Sequence, residues 1–325
     1  MIKLFHFFRL IRLTNLLVIT LTMCVIQLFL RNDHIFENTN FVWLIISTVL
    51  IAAAGNIIND YFDVKADRIN KPKRLIIGKY IKRRWAMVFH WSFNSVGLLI
   101  ALYVGYKLQN VWVPLIAFLS INLLWFYSAY YKRKPLIGNV IVSLLVGIVP
   151  IYVLLYNLPI TNYVLPDNSY IIYTRYFIDV IVLVSALALM INLMRELVKD
   201  IQDVRGDMRL NAKTFPIKYG IKQTKLLIAV VFFITTLILI FYLYKYMAWN
   251  EVFYKKIALI ADYTNWRVTE NNTRFLVYGL MLLSYMFLLI GLLITLFTNK
   301  IKGYKWASVS LKLAMIFGLL TPLVM

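Results

Sequence analysis

Two stretches of the sequence carry carboxylates at the same spacing. Asp60, Asp63 and Asp67 follow Asn59, and Asp200, Asp203 and Asp207 follow Lys199, so each set occupies positions i, i+3 and i+7. At about 100° per residue these offsets fall near 0°, −60° and −20° on a helix, which lines three carboxylates along one narrow face. Like charges stacked in this way repel unless a cation lies between them. Carboxylate oxygens without cysteine or clustered histidine suit a hard ion such as Mg²⁺, which keeps part of its water and bridges carboxylates to substrate phosphates. The chemistry these residue types suggest is metal-assisted handling of a phosphorylated substrate. One acidic cluster alone could equally be a solvated helix end paired with nearby Lys and Arg. Two at one spacing, holding six of the 14 acidic residues, favour a shared ligand.

Cationic and polar companions surround both clusters. Arg68, Lys71, Lys73 and Arg74 follow the first, and Arg195, Lys199, Arg205, Arg209 and Lys213 flank the second. Such side chains can hold diphosphate oxygens between two metal patches. Arg68, Lys132 and Lys199 are the candidate phosphate contacts, although cytoplasmic loops of membrane proteins fill with Lys and Arg in any case. The stretch from Tyr127 to Lys134 ends an apolar run on the same side. Asn15, Asn56 and Asn192 are amides at membrane depth, where such groups face a bundle interior. Asn15 and Asn59 are candidate substrate contacts, with helix-to-helix hydrogen bonding as the plainer use of such residues. His6, His34 and His90 share no ligand spacing, and the lone Cys24 rules out an intramolecular disulfide.

The elements that must position these residues are membrane helices. The 325 residues are 62% hydrophobic and only 15% charged, with mean hydropathy +0.75. Runs long enough to cross a hydrocarbon core recur near 12–30, 41–58, 85–106, 111–130, 138–157, 176–195, 225–247, 275–298 and 306–324. The composition therefore predicts an all-α polytopic membrane protein of about nine spans, one domain over 1–325, with catalytic loops at 59–84 and 196–224. The first run lacks a small-residue cleavage site and reads as a retained helix. A net charge of +21 would suggest nucleic acid in a soluble protein. Here most Lys and Arg fall in the N-terminus and alternate loops, so the charge encodes topology and predicts no nucleic-acid partner. That bias puts the N-terminus and both acidic segments in the cytoplasm and the C-terminus outside, in a membrane of the bacterial inner type. Trp249, Tyr254 and Trp266 would anchor the opposite interface.

With those residues in view, the sequence resembles the UbiA superfamily of intramembrane prenyltransferases. Its N-D-x-x-D-x-x-x-D signature is matched at Asn59, Asp60, Asp63 and Asp67, and its later D-x-x-x-D signature within Arg195 to Asp207. Tyr127 to Lys132, Gly138-Asn139 and Lys213 to Pro216 also look familial. The motif from Asn59 to Pro72 is most similar to the branch of geranylgeranylglycerol-phosphate geranylgeranyltransferases, although Lys73 to Gly78 lacks that branch's further proline. The resemblance implies nine membrane helices and Mg²⁺ held by the six aspartates. It implies transfer of a prenyl group from a prenyl diphosphate donor to a lipophilic acceptor, with release of diphosphate, in contact with membrane lipid. It assigns to aromatic side chains the stabilisation of the allylic cation, for which Tyr127 is the candidate. An aromatic acceptor of quinone synthesis is the alternative. A transporter of a phosphorylated lipid or organic anion would also want basic loops, yet two carboxylate triads would repel its cargo.

Overall fold

In the computed structural model, residues 2–31, 38–70, 72, 75–158, 169–257 and 266–324 are described. Lys71, Lys73, Arg74 and the side chains of Trp249, Tyr254 and Trp266 lie outside them, as does most of the external segment around Pro159 and Pro166. The described chain is helical throughout. A short α1 (Ile2–Leu10) precedes α2 (Leu13–Arg31), α3 (Thr39–Asn70), α4 (Arg83–Leu108), α5 (Trp112–Ala129) and α6 (Ile137–Asn157). Then come α7 (Ser169–Arg209), a single turn α8 (Phe215–Tyr219), α9 (Ile221–Ile257), α10 (Trp266–Phe297) and α11 (Ile301–Leu320). Nine of these are long and apolar enough to cross a bilayer, at the nine predicted places.

In lipid, helices must satisfy their backbone internally and gain little from hydrophobicity, so they associate where small residues let them approach. Gly55 on α3 lies where a Cβ would meet Leu124 of α5 at 2.8 Å, and Gly97 on α4 sits against Ile51 and the Ser47 carbonyl. Ser47 Oγ donates to the Gly97 carbonyl at 2.7 Å, pinning α3 to α4. Gly147 of α6 abuts Ser185 and Leu189 of α7, and Ser284 Oγ of α10 donates to the Ala314 carbonyl of α11 at 2.8 Å. Each close approach replaces side-chain bulk by backbone contact or a hydrogen bond, which is the currency available inside a membrane.

Two departures from the sequence reading matter for the site. Residues 59–70 and 196–209, expected as loops, continue α3 and α7 as unbroken helix beyond their apolar stretches. Their charged side chains are good helix formers once solvated, so nothing forces the helices to stop at the membrane boundary. The connection proper is the short stretch around Leu75–Lys82, which carries an isolated bridge between Ile77 and Ile81 and turns at Gly78, whose φ of +87° suits a residue without Cβ. Second, the N-terminus forms α1, which no membrane-span periodicity announces. Leu10 and Ile11 are buried with Ile57, Val64 and Ile77, while His6 stacks on Tyr80 with ring centroids 3.5 Å apart.

Candidate active site

The membrane helices enclose a cavity of about 830 Å³ that opens at the end bearing both acidic segments. Every spanning helix except α4 contributes to its wall; α4 packs on the outer side of α3. All six aspartates line it, together with Asn15, Asn59, Tyr127, Lys132 and Lys199. The two helix faces derived from the 3.6-residue period therefore meet across one chamber. Deeper walls are apolar, from residues such as Ile116, Val146, Val149, Val184 and Leu187. A pocket of this kind, polar at one end and apolar at the other, suits an amphipathic ligand.

Arg68 is the candidate phosphate contact that the structure sets apart from the others. It is exposed and contributes nothing to the cavity wall, as do Arg205, Arg209 and Lys213. The reason is angular: eight residues after Asp60, Arg68 points about 80° away from the acidic face. Another cation lies closer to the first cluster. Arg12, in the break between α1 and α2, has φ +55°, and this left-handed turn swings its guanidinium over α3, where Nη2 donates to Asp60 Oδ1 at 2.6 Å. A non-glycine residue in that region costs roughly 1–2 kcal/mol, which the pairing offsets. Asn56 Nδ2 holds the same break by donating to the Ile11 carbonyl at 2.9 Å.

The first cluster is organised by Lys132. This residue sits in a turn of 3-10 helix (Tyr131–Arg133) between α5 and α6. Its Nζ donates to Asn59 Oδ1 at 2.9 Å and to Asp63 Oδ2, while Asn59 Nδ2 donates to the same Asp63 oxygen at 3.1 Å. Burial alone would lower the Lys132 pKa, but the neighbouring Asp63 charge outweighs it and holds the ammonium above its ordinary range. Asp60 does the same for Arg12, against burial. The turn can approach because the second residue of α6 is Gly138, where a Cβ would stand 2.9 Å from the Tyr131 carbonyl oxygen and 3.0 Å from Lys132 Cα. The next residue, Asn139, donates from Nδ2 to Asp200 Oδ2 at 2.9 Å. Gly138-Asn139 thus couples the two clusters, one by its absence of side chain and the other by its amide.

The second cluster has its own counter-charges one turn deeper. Lys199 pairs with Glu196, and Arg195 Nη1 lies 3.9 Å from the same carboxylate. Lys312, a cation inside the last span, donates to Asn15 Oδ1 at 3.2 Å. An ionisable residue within a membrane span is a functional signal in its own right, and Lys312 was legible as such from the sequence. Asn192, singled out as an amide at membrane depth, donates to Ser143 Oγ at 3.3 Å and serves helix packing.

The donor set fits a hard divalent cation. Oxygen ligands from two helices face one space, and neither cysteine nor histidine lies among the described residues of the wall. No group of three such side chains converges closely enough to hold an ion unaided among the described residues, so the remaining ligands must come from water or a bound phosphate, as Mg²⁺ prefers. The wall carries seven acidic and seven Lys or Arg side chains among the described residues. A diphosphate entering this balanced chamber brings negative charge that only added cations can match.

Comparison with known proteins leads to the same place. The description "UbiA prenyltransferase family" fits residues 17–272. A digeranylgeranylglyceryl phosphate synthase of Methanococcus maripaludis is 33% identical, the alignment covering 66% of this chain and 68% of the relative. Proteins of the same description from Methanobrevibacter smithii, 34% identical over 64% and 69% of the two chains, and Thermococcus sibiricus, 32% identical over 57% of each, are also similar. Among solved structures, one described as a digeranylgeranylglyceryl phosphate synthase in membranes superposes with TM-score 0.61 at 22% identity, over 100% of this chain and 98% of that one. A UbiA homologue from Archaeoglobus fulgidus bound to DMAPP and Mg²⁺ gives TM-score 0.54 at 14% identity, over 98% and 99%. At these identities the structural likeness is one of fold.

Proposed function

We propose, for a chain that belongs to the UbiA prenyltransferase family, that it transfers a geranylgeranyl or similar group from a prenyl diphosphate to a lipophilic acceptor carrying a glycerol phosphate. The observation that carries the reading is the convergence of both carboxylate faces on one chamber whose far end is apolar. Relatives at about a third identity are synthases of digeranylgeranylglyceryl phosphate, which favours the glycerol phosphate over an aromatic acceptor.

Asp60, Asp63, Asp67, Asp200, Asp203 and Asp207 would hold Mg²⁺, which when bound neutralises the donor's diphosphate and so favours its departure. The chain's own residues then do the rest. Lys132 and Lys199 place fixed positive charge beside the departing oxygens, and Asn59 holds Lys132 and Asp63 in register. Asn139 fixes the Asp200 carboxylate toward the chamber. Tyr127 presents a ring at the boundary between charged rim and apolar interior, where the allylic carbon becomes positive. The apolar walls exclude water, which would otherwise capture the cation in place of the acceptor. The acidic end faces the cytoplasm in this reading, because the flanking segments carry most of the Lys and Arg. The membrane is the cell's inner membrane, and the C-terminus lies outside.

The test is release of diphosphate from a labelled geranylgeranyl donor by purified protein with Mg²⁺ and a prenylglycerol phosphate acceptor. Asp63→Asn and Asp203→Asn should each lower turnover by about a thousandfold or more while the protein is still expressed and folded. Full activity in either variant would sink the assignment. A transporter of phosphorylated lipid would instead move its cargo without cleaving it.

A further inference from the structure

Beneath the acidic rim lie two cations, Arg195 and Lys312, with a single carboxylate, Glu196, beside one of them. Arg195 sits five residues before Asp200 on α7, about 7.5 Å deeper along the helix. Its side chain is only 18% exposed, its Nε is buried without an acceptor among the described residues, and its one ionic neighbour, Glu196, is already paired with Lys199. Lys312 lines the same cavity from α11. Of its three N–H donors, one meets Asn15 and the others have no partner among the described residues. Leaving the Arg195 Nε–H without an acceptor at membrane depth is costly, because that donor loses water and gains nothing in return. Two cations that repel each other across an apolar chamber make the arrangement costlier still.

We infer that Arg195 and Lys312, with Asn15 holding the Lys312 amine in place, form a second anion site that reads the phosphate headgroup of the acceptor. The inference rests on the proposed prenyl transfer and deepens it by assigning what selects the acceptor. The carboxylate-lined rim repels an anion unless metal intervenes, so the donor belongs there. The deeper pair attracts an anion directly and needs no metal. One chamber thus sorts two phosphorylated lipids by whether each brings Mg²⁺ with it. The acceptor's phosphate at Arg195 and Lys312 would leave its free hydroxyl to reach up toward the cleaved bond. Asn15 is a positioning residue here, acting through Lys312.

Two measurements decide it, both on the full-length protein. In the first, melting temperature is followed with a prenylglycerol phosphate, or its dephosphorylated alcohol, in the absence of Mg²⁺ and donor. The phosphate should stabilise wild type more than the alcohol does, and the difference should vanish in Lys312→Met. Equal shifts from the two ligands would overturn the site, and this arm needs no catalysis. In the second, Lys312→Met should raise the acceptor KM about tenfold to a hundredfold, the loss expected of a charge-assisted hydrogen bond, with donor KM within about twofold. Lys312→Arg should recover most of it. A donor KM that rises in step, or an unchanged acceptor KM, would overturn the inference even if the enzyme is a prenyltransferase. Loss of donor cleavage by wild type with every acceptor would instead fell the function itself.

Discussion

Gly138→Ala adds one methyl group at the hinge of the site, and its effect can be worked from distances. The new Cβ would stand 2.9 Å from the Tyr131 carbonyl oxygen, 3.0 Å from Lys132 Cα and 3.2 Å from the Tyr131 carbonyl carbon. All three neighbours are backbone, so none can rotate aside; the Tyr131–Arg133 turn must retreat by a few tenths of an ångström. Overpacking of this kind costs about 1–3 kcal/mol. For a large domain this lowers the melting temperature by a few degrees, at about 2–4 °C per kcal/mol. The retreat carries Lys132 away from Asn59 and Asp63. Since a displacement of about 1 Å can cost a hundredfold in rate, a few tenths should lower kcat by about three- to tenfold. Donor KM should change little. Gly279→Ala is the matched control: nothing among the described residues lies within 4 Å of its Cβ, and alanine is the better helix former by about 1 kcal/mol. Steady-state kinetics and thermal melting of both variants in detergent make the test. Wild-type kcat in Gly138→Ala, or an equal loss in Gly279→Ala, would refute the idea that the glycine exists to seat Lys132.

Asn139→Ala removes the amide that orients Asp200 and should lower kcat about ten- to a hundredfold, with Asn139→Asp worse because it sets two carboxylates together; activity at wild-type level in Asn139→Ala would show that Asp200 needs no such tether. Lys132→Met should destabilise the metal-free protein by about 1–2 kcal/mol, between the values for exposed and buried pairs. The Lys132 pKa is raised on folding, so its contribution is fully present below the unfolded value near about 10.4 and fades only above it. The stability gap to wild type should therefore stay constant from pH 6 to 9, and a gap that closes across that window in a pH series of melts would contradict the pairing.

Much of this architecture could be read from residue types alone. Nine spans followed from the length of apolar runs, because a bilayer leaves the backbone no other choice. The aspartate faces follow from helical angle, and that same angle turns Arg68 away from them. What stayed hidden was contact between distant parts of the chain. Nothing local marks Arg12 as the partner of Asp60, 48 positions on, or Asn139 as the partner of Asp200. Such pairs depend on how helices cross, which propensity does not encode. In the sequence Arg195 is one of many cytoplasmic cations; that its Nε has no acceptor emerges only once the neighbouring helices are in place. The amphipathic α1 is only nine residues long, too short to stand out beside the spans.

The unbroken course of α3 has a mechanical corollary. Its 32 residues make a rod about 48 Å long, and α7 is longer still. Both carry their carboxylate faces at one tip, past their apolar stretches. The gap across which a diphosphate must fit is therefore set by the tilt of two struts gripped along their shafts, as at Gly55, Gly97 and Gly147, rather than by any loop. A membrane too thick or too thin for those struts should change their lean, and with it the width of the grip.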